Sequence, residues 1–154
     1  MIEKAQVFST IDGFLSTRIT QKTPIVRVIT DDESYYLDSK GNRMSLSENF
    51  SARVPLVTGE ISERNCKPFL FLFNEIKKDD FLSKNITGAQ IMTSGNVVLT
   101  NRSYDYKIVF GQPKNVERKF KNYKAFYHHA IKDTLIKNYK EVNLMFTQQV
   151  VCKK

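Results

Sequence analysis

Tryptophan is absent from the 154 residues, and there are only two cysteines, two histidines, four prolines and six glycines. Each scarcity removes a class of protein. Cys66 and Cys152 cannot build a disulfide framework, and neither sits in a CxxC pair or at ligand spacing from a histidine. They read as two buried or half-buried thiols; a bond between them in an oxidising compartment is a question of geometry that spacing leaves open. Few glycines and prolines speak against a low-complexity or collagen-like chain, and the spread of 11 Phe and 7 Tyr speaks against disorder. Long apolar runs are also missing. The longest, Pro68-Phe69-Leu70-Phe71-Leu72-Phe73, falls far below the ~20 residues that span a bilayer. Met1-Ile2-Glu3-Lys4 leads into no apolar stretch of the signal-peptide kind.

What is present is a lopsided charge. Residues 1–100 hold 12 Lys+Arg against 12 Asp+Glu, whereas residues 101–154 hold 12 against 4, so the whole net charge of +8 lies in the last third. A basic third suits nucleic acid, anionic headgroups or an acidic protein, and equally a solvated helix face.

Periodicity predicts strands first. Ala5–Ile11 reads as a strand, Asp12-Gly13 as a turn, and Leu15, Thr17 and Ile19 alternate as in a half-buried strand. Pro24 opens the run Ile25–Ile29, and the polar stretch Asp31-Asp32-Glu33-Ser34 is the expected domain junction. Short extended pieces follow at Tyr35–Asp38 and Arg53–Val57. Phe69, Leu72, Phe73 and Ile76 predict a helix from about Cys66 to Leu82. A meander follows through Ile86–Thr93, Val97–Thr100 and Tyr106–Phe110. A second helix carries the stripe Val116, Phe120, Tyr123, Tyr127 and Ala130, with Arg118, Lys119, Lys121 and Lys124 away from it. Val142, Leu144 and Phe146 then alternate, and Gln149–Cys152 reads as a final strand closed by Lys153-Lys154. This order predicts an α+β fold: a curved, mostly antiparallel sheet with two helices packed against it and an N-terminal β hairpin at one end.

No catalytic constellation emerges. Adjacent helix residues point ~100° apart, so His128 and His129 cannot grip one metal from one face. Asp79-Asp80 reads as a charged helix end, and Asp31-Asp32-Glu33 lacks the glycine and terminal glutamate of a calcium loop. There is no phosphate-cradling glycine loop and no nucleophile motif. The expectation is a non-enzyme without metal or cofactor. Lysines interleaved with aromatics on the second helix would suit nucleic acid, but Tyr123 and Tyr127 share the stripe of Val116 and Phe120 and therefore read as core.

The ordered set Thr23-Pro24-Ile25-Val26-Arg27-Val28, Tyr35-Tyr36-Leu37-Asp38-Ser39-Lys40-Gly41, Arg53-Val54-Pro55-Leu56-Val57-Thr58-Gly59, Glu141-Val142-Asn143-Leu144-Met145-Phe146 and Val150-Val151-Cys152 resembles the FtsQ/DivIB family of bacterial cell-division proteins. The stretch from Met44 through Asn49 to Pro55 resembles the Bacteroidetes branch. Members have a short cytoplasmic tail, one transmembrane helix, a POTRA domain and a β domain. The resemblance implies that residues 1–30 are the last strands of a POTRA domain and residues 31–154 the β domain. It further implies a membrane helix upstream in the full-length protein, so that this chain is an N-terminally truncated, soluble periplasmic part of a single-pass inner-membrane protein of the septum. It implies a non-catalytic divisome scaffold that binds FtsB/DivIC-like and FtsL-like partners. The binding residues on that view are Phe146, Gln149, Val150, Val151 and Cys152, at a sheet edge that accepts a partner strand. Many relatives read Asp-Leu-Arg-Tyr where this chain has Asn143-Leu144-Met145-Phe146. The competing reading is a basic nucleic-acid-binding domain, resting on the charge of residues 101–154.

Overall fold

A computed structural model describes residues 2–48, 50–59, 61 and 66–154; Met1 and Asn49, which the sequence reading touches, lie outside them. The first two strands, β1 (Ile2–Ser9) and β2 (Leu15–Gln21), form a separate antiparallel hairpin. Its turn is the one that Asp12-Gly13 predicts: Thr10 N–H donates to Phe14 O at 2.8 Å, and Gly13 supplies a positive φ of 79°. The alternation in β2 was expected to mark a half-buried strand. Instead Leu15 and Ile19 are 78% and 54% exposed. Together with Ala5 and Val7 they form an apolar face that is exposed among the described residues.

All other strands join one sheet. In chain order they are β3 (Pro24–Ile29), β4 (Ser34–Asp38), β5 (Arg43–Met44), β6 (Leu56–Thr58), β7 (Ile86–Ile91), β8 (Val97–Asn101), β9 (Lys107–Gly111), β10 (Glu141–Asn143) and β11 (Val151–Lys153). The spatial order is β11-β10-β9-β8-β7-β6-β3-β4-β5. Five ladders are antiparallel (β3–β4, β4–β5, β7–β8, β8–β9, β10–β11) and three are parallel (β3–β6, β6–β7, β9–β10). The fold is therefore α+β, as the sequence predicts, with a mixed sheet. Parallel neighbours need a crossover connection, and helices fill two of the three. The pair α1 (Cys66–Lys78) and α2 (Asp80–Asn85) joins β6 to β7, and α3 (Val116–Lys132) joins β9 to β10.

One detail departs from the periodicity reading. The single helix expected over Cys66–Leu82 is broken at Asp79, whose backbone is extended and whose carboxylate accepts the Leu82 N–H at 3.0 Å, capping α2. Asp31-Asp32-Glu33 forms the turn between β3 and β4, closed by Thr30 N–H donating to Glu33 O at 2.9 Å. Strand β3 is thus bonded on both sides within the large sheet.

The ladders align one apolar row across eight strands: Tyr35, Val28, Val57, Ala89, Leu99, Ile108, Val142 and Cys152. All but Cys152 are buried, and α1 and α3 supply the cover with Phe69, Leu72, Phe73, Ile76, Val116, Phe120 and Tyr123. Burial of this kind contributes roughly 25 cal/mol per Å² of apolar surface. The opposite row, Tyr36, Arg27, Leu56, Gly88, Thr100, Lys107, Glu141 and Lys153, belongs to the other face. It is largely polar because that face meets water. Among the described residues no helix is long and apolar enough to cross a membrane.

Candidate partner-binding edge

The C-terminal end of the sheet is built by α3. After Gly111 the chain turns into α3, which runs back over the core face and delivers β10 parallel to β9. Strand β11 then returns antiparallel on the outer side of β10 and, among the described residues, has no strand beyond it. At the other end, β5 is only two residues long, a common way of blunting an edge.

Side chains on α3 follow the predicted stripe, with one exception. Val116, Phe120, Tyr123, Tyr127 and Ala130 are buried, but so is Lys119. Its Nζ donates to Phe110 O at 2.7 Å and Gln112 O at 3.0 Å, and rests 4.6 Å from the Phe110 ring centre. Burial lowers the pKa of this ammonium, and the two carbonyls at the end of β9 hold it. Periodicity had put Lys119 with the solvated lysines; its long stem reaches inward from the border of the stripe. The tyrosines that could have stacked bases are core residues. Tyr123 OH lies 2.8 Å from Tyr106 OH and accepts from Asn101 Nδ2 at 2.9 Å, and burial pushes the Tyr123 phenol up to about 12.

The binding residues expected from the resemblance do not all lie on one strand. Strand β11 is Val151–Lys153, so Gln149 and Val150 precede it and Lys153 joins it. Strand β10 ends at Asn143 and does not run on through Phe146. The cause is local. Asn143 Oδ1 accepts the Met145 N–H at 2.9 Å, an Asx turn that bends the chain. Leu144 stays buried and donates its N–H to Val109 O at 2.8 Å. Met145 then folds over Gly111, whose φ is +73°; a Cβ there would lie 2.8 Å from Met145 Cγ. Asn122 Nδ2 ties Thr147 O to α3 at 3.0 Å. The connection therefore spans residues 144–150, longer than the gap between the alternation ending at Phe146 and the strand expected from Gln149.

Within this frame Phe146 is 53% exposed in the bend, Gln149 is exposed, and Val151 is 43% exposed on the strand. Val150 and Cys152 are half-buried against the core. Burial raises the Cys152 thiol above its ordinary range. A groove of about 490 Å³ runs beside the edge, walled by Phe126, His129, Leu135 and Tyr139 on one side and Gln148 to Val150 on the other. Sequence reasoning missed this groove, because it needs the parallel placement of β10 beneath α3.

The two histidines and the Asp79-Asp80 pair are engaged in structural contacts. His129 Nδ1 meets Asp133 at 2.9 Å, and His128 packs against Phe81. Asp79 contacts Lys124 at 2.5 Å and Asp80 contacts Lys84 at 2.6 Å. Among the described residues no three His, Cys, Asp or Glu side chains converge as metal ligands.

No curated protein matches the chain. A family model described as FtsQ/DivIB, C-terminal related, matches residues 23–153. Proteins of the FtsQ/DivIB family act in cell division and are not enzymes. The match begins one residue before β3 and ends on the last residue of β11, taking in all nine strands of the large sheet and leaving out the hairpin: the chain belongs to the FtsQ/DivIB C-terminal related family.

Proposed function

We propose that this chain is a non-catalytic divisome scaffold, the extracytoplasmic part of a septal inner-membrane protein. On this reading it binds FtsB/DivIC-like and FtsL-like partners through β11. One observation carries it: the core row stays buried through Val142 and ends at Cys152, half-buried with no strand beyond it among the described residues. An added strand would pair with the open backbone of β11 and cover Cys152, gaining affinity from main-chain hydrogen bonds and selectivity from alternate side chains. Phe146, Gln149, Val150, Val151 and Cys152 line the route of that strand. We assign the hairpin β1–β2 to the end of a POTRA domain and put the junction at Lys22-Thr23. In support, β3 is bonded on both sides in the large sheet, and the hairpin's apolar face is uncovered.

The test is a calorimetric titration of the folded chain with the extracytoplasmic segment of the FtsB/DivIC-like protein from the same cell. Saturable binding that moves the amide resonances of residues 146–153 is the expected result. Binding that leaves those resonances unmoved would show that the partner docks elsewhere. A parallel titration with a short oligonucleotide addresses the competing reading, since phosphate binding weakens steeply with salt.

A further inference from the structure

A second site lies far along the sheet from β11, where the hairpin joins the body. Two grooves meet there. One, of about 390 Å³, is lined by the linker Gln21–Ile25, the strap Phe50 to Pro55 and the end of α1 at Ile76 and Lys77. The other, of about 580 Å³, runs on from it beneath Ser45–Ser47. They share Gln21, Lys22, Pro24, Phe50 and Ala52, so they form one trough.

Its charge is one-sided. Lys22 comes from the linker, Arg53 from the strap and Lys77 from α1, and among the described residues no carboxylate lines either groove. None of the three forms an ion pair within 4 Å among the described residues. Lys77 Nζ does reach across to Pro24 O at 3.3 Å, and burial lowers its pKa. Asp38 feels the charge of Lys22, but its oxygens are taken by the Lys40 and Asn42 N–H groups and by Asn42 Nδ2. Three cations drawn from three elements give the trough one sign of charge, which favours an anion placed among them. The surface beneath is apolar: Pro24, Val54 and Pro55 are half-buried, Ile25 and Ile76 are buried, and Phe50 stands 70% exposed at the rim.

We propose that this trough binds an extended acidic peptide segment, its carboxylates paired with Lys22, Arg53 and Lys77 and an apolar side chain between them resting on Pro24, Val54 and Pro55. Length favours a peptide, since the joined grooves outrun a single small anion. Single-stranded nucleic acid fits less well, because it calls for successive stacking rings and the trough offers the one exposed ring of Phe50. The site is separate from β11 and does not depend on the strand-addition reading.

The experiment is an NMR titration of the ¹⁵N-labelled full chain with acetyl-Leu-Glu-Val-Glu-Leu-amide, its Glu→Gln counterpart, inorganic phosphate and a short oligothymidylate. The acidic peptide is expected to give saturating shifts at residues 21–24, 50–55 and 76–77 that salt weakens, with little response to the glutamine peptide. Arg53→Glu and Lys77→Glu should each weaken binding by roughly tenfold, about 1.4 kcal/mol, with Lys22→Gln as a milder variant should either perturb the fold. Val151→Pro should bind the peptide as the parent does, so that failure here and failure at β11 are told apart. The proposal is overturned by equal response to both peptides, by shifts centred on β11 or α3, by phosphate alone reproducing the effect, or by tighter binding of the oligonucleotide.

Discussion

Cys152 lies directly opposite Val142 in the last ladder of the sheet, on the same face, yet Val142 is 0% exposed and Cys152 only half-buried. Val142 has a strand on either side; Cys152 has one. That missing neighbour, rather than any charged or reactive group, sets the edge apart.

Backbone substitutions should therefore separate the edge from its side chains. Successive residues of an edge strand turn their N–H groups alternately toward the partner strand and away from it. One of the neighbouring donors at Val151 and Cys152 thus faces the open side. Of Val151→Pro and Cys152→Pro, the one that removes this donor should weaken partner binding by tenfold or more, about 1.4 kcal/mol. Val151→Thr keeps the β-branched shape and should bind nearly as the parent does. Calorimetry on variants with native circular dichroism measures both.

Phe146 sits in the bend with half its surface in water, so it contributes little to the isolated fold. Phe146→Ala should change stability to denaturant by less than about 0.5 kcal/mol. As a buried interface anchor the same ring would be worth about 2 kcal/mol of binding. Equal, small effects on both quantities would remove it from the interface.

The Cys152 thiol offers a chemical readout. Burial raises its pKa, so less of it is the reactive thiolate at neutral pH. In a Cys66→Ser background, alkylation by iodoacetamide should be slower than for an unfolded peptide of residues 146–154. Saturating partner should slow it further; an unchanged rate in the complex would place the incoming strand off the Cys152 side.

Acid sensitivity should trace partly to Asp79. Burial alone would raise this carboxyl, but the Lys124 ammonium and the Leu82 N–H outweigh it and hold the pKa below the usual range. A depressed folded-state pKa means stability that is present above the unfolded value of about 4 and lost as pH falls through the folded value. Asp79→Asn should flatten that part of the pH profile, and Asp79→Ala should cost about 1 kcal/mol at neutral pH through the lost cap. Urea unfolding between neutral and acid pH measures both.

Much of the fold was legible because burial writes period into sequence. The α3 stripe and the three meander strands follow directly from the spacing of apolar residues. Less readable were features set by partners distant in the chain. Lys119 looks like its solvated neighbours until β9 presents two carbonyls to it, and Asp79 breaks a continuous apolar pattern by a hydrogen bond of its own. Leu15 and Ile19 carry a strand's alternation yet remain uncovered, since alternation marks a face suited to burial and says nothing of what buries it. At the candidate edge the final strand was visible from its β-branched residues. The groove beneath α3 was not, because it depends on β10 lying parallel to β9.

That parallel placement also orders events in time. An antiparallel hairpin can close locally, but β10 can dock on β9 only after the whole of α3 has spanned the sheet, and β11 only after β10. The β10–β11 edge is thus expected to be among the last parts of the sheet to form and, with only three residues on its outermost strand, among the first to open. Amides of residues 141–153 should exchange with solvent well before those of β7 and β8. On the proposed reading, a strand laid on β11 would draw its stabilising effect from closing this late unit, leaving the sheet firmest where a partner sits.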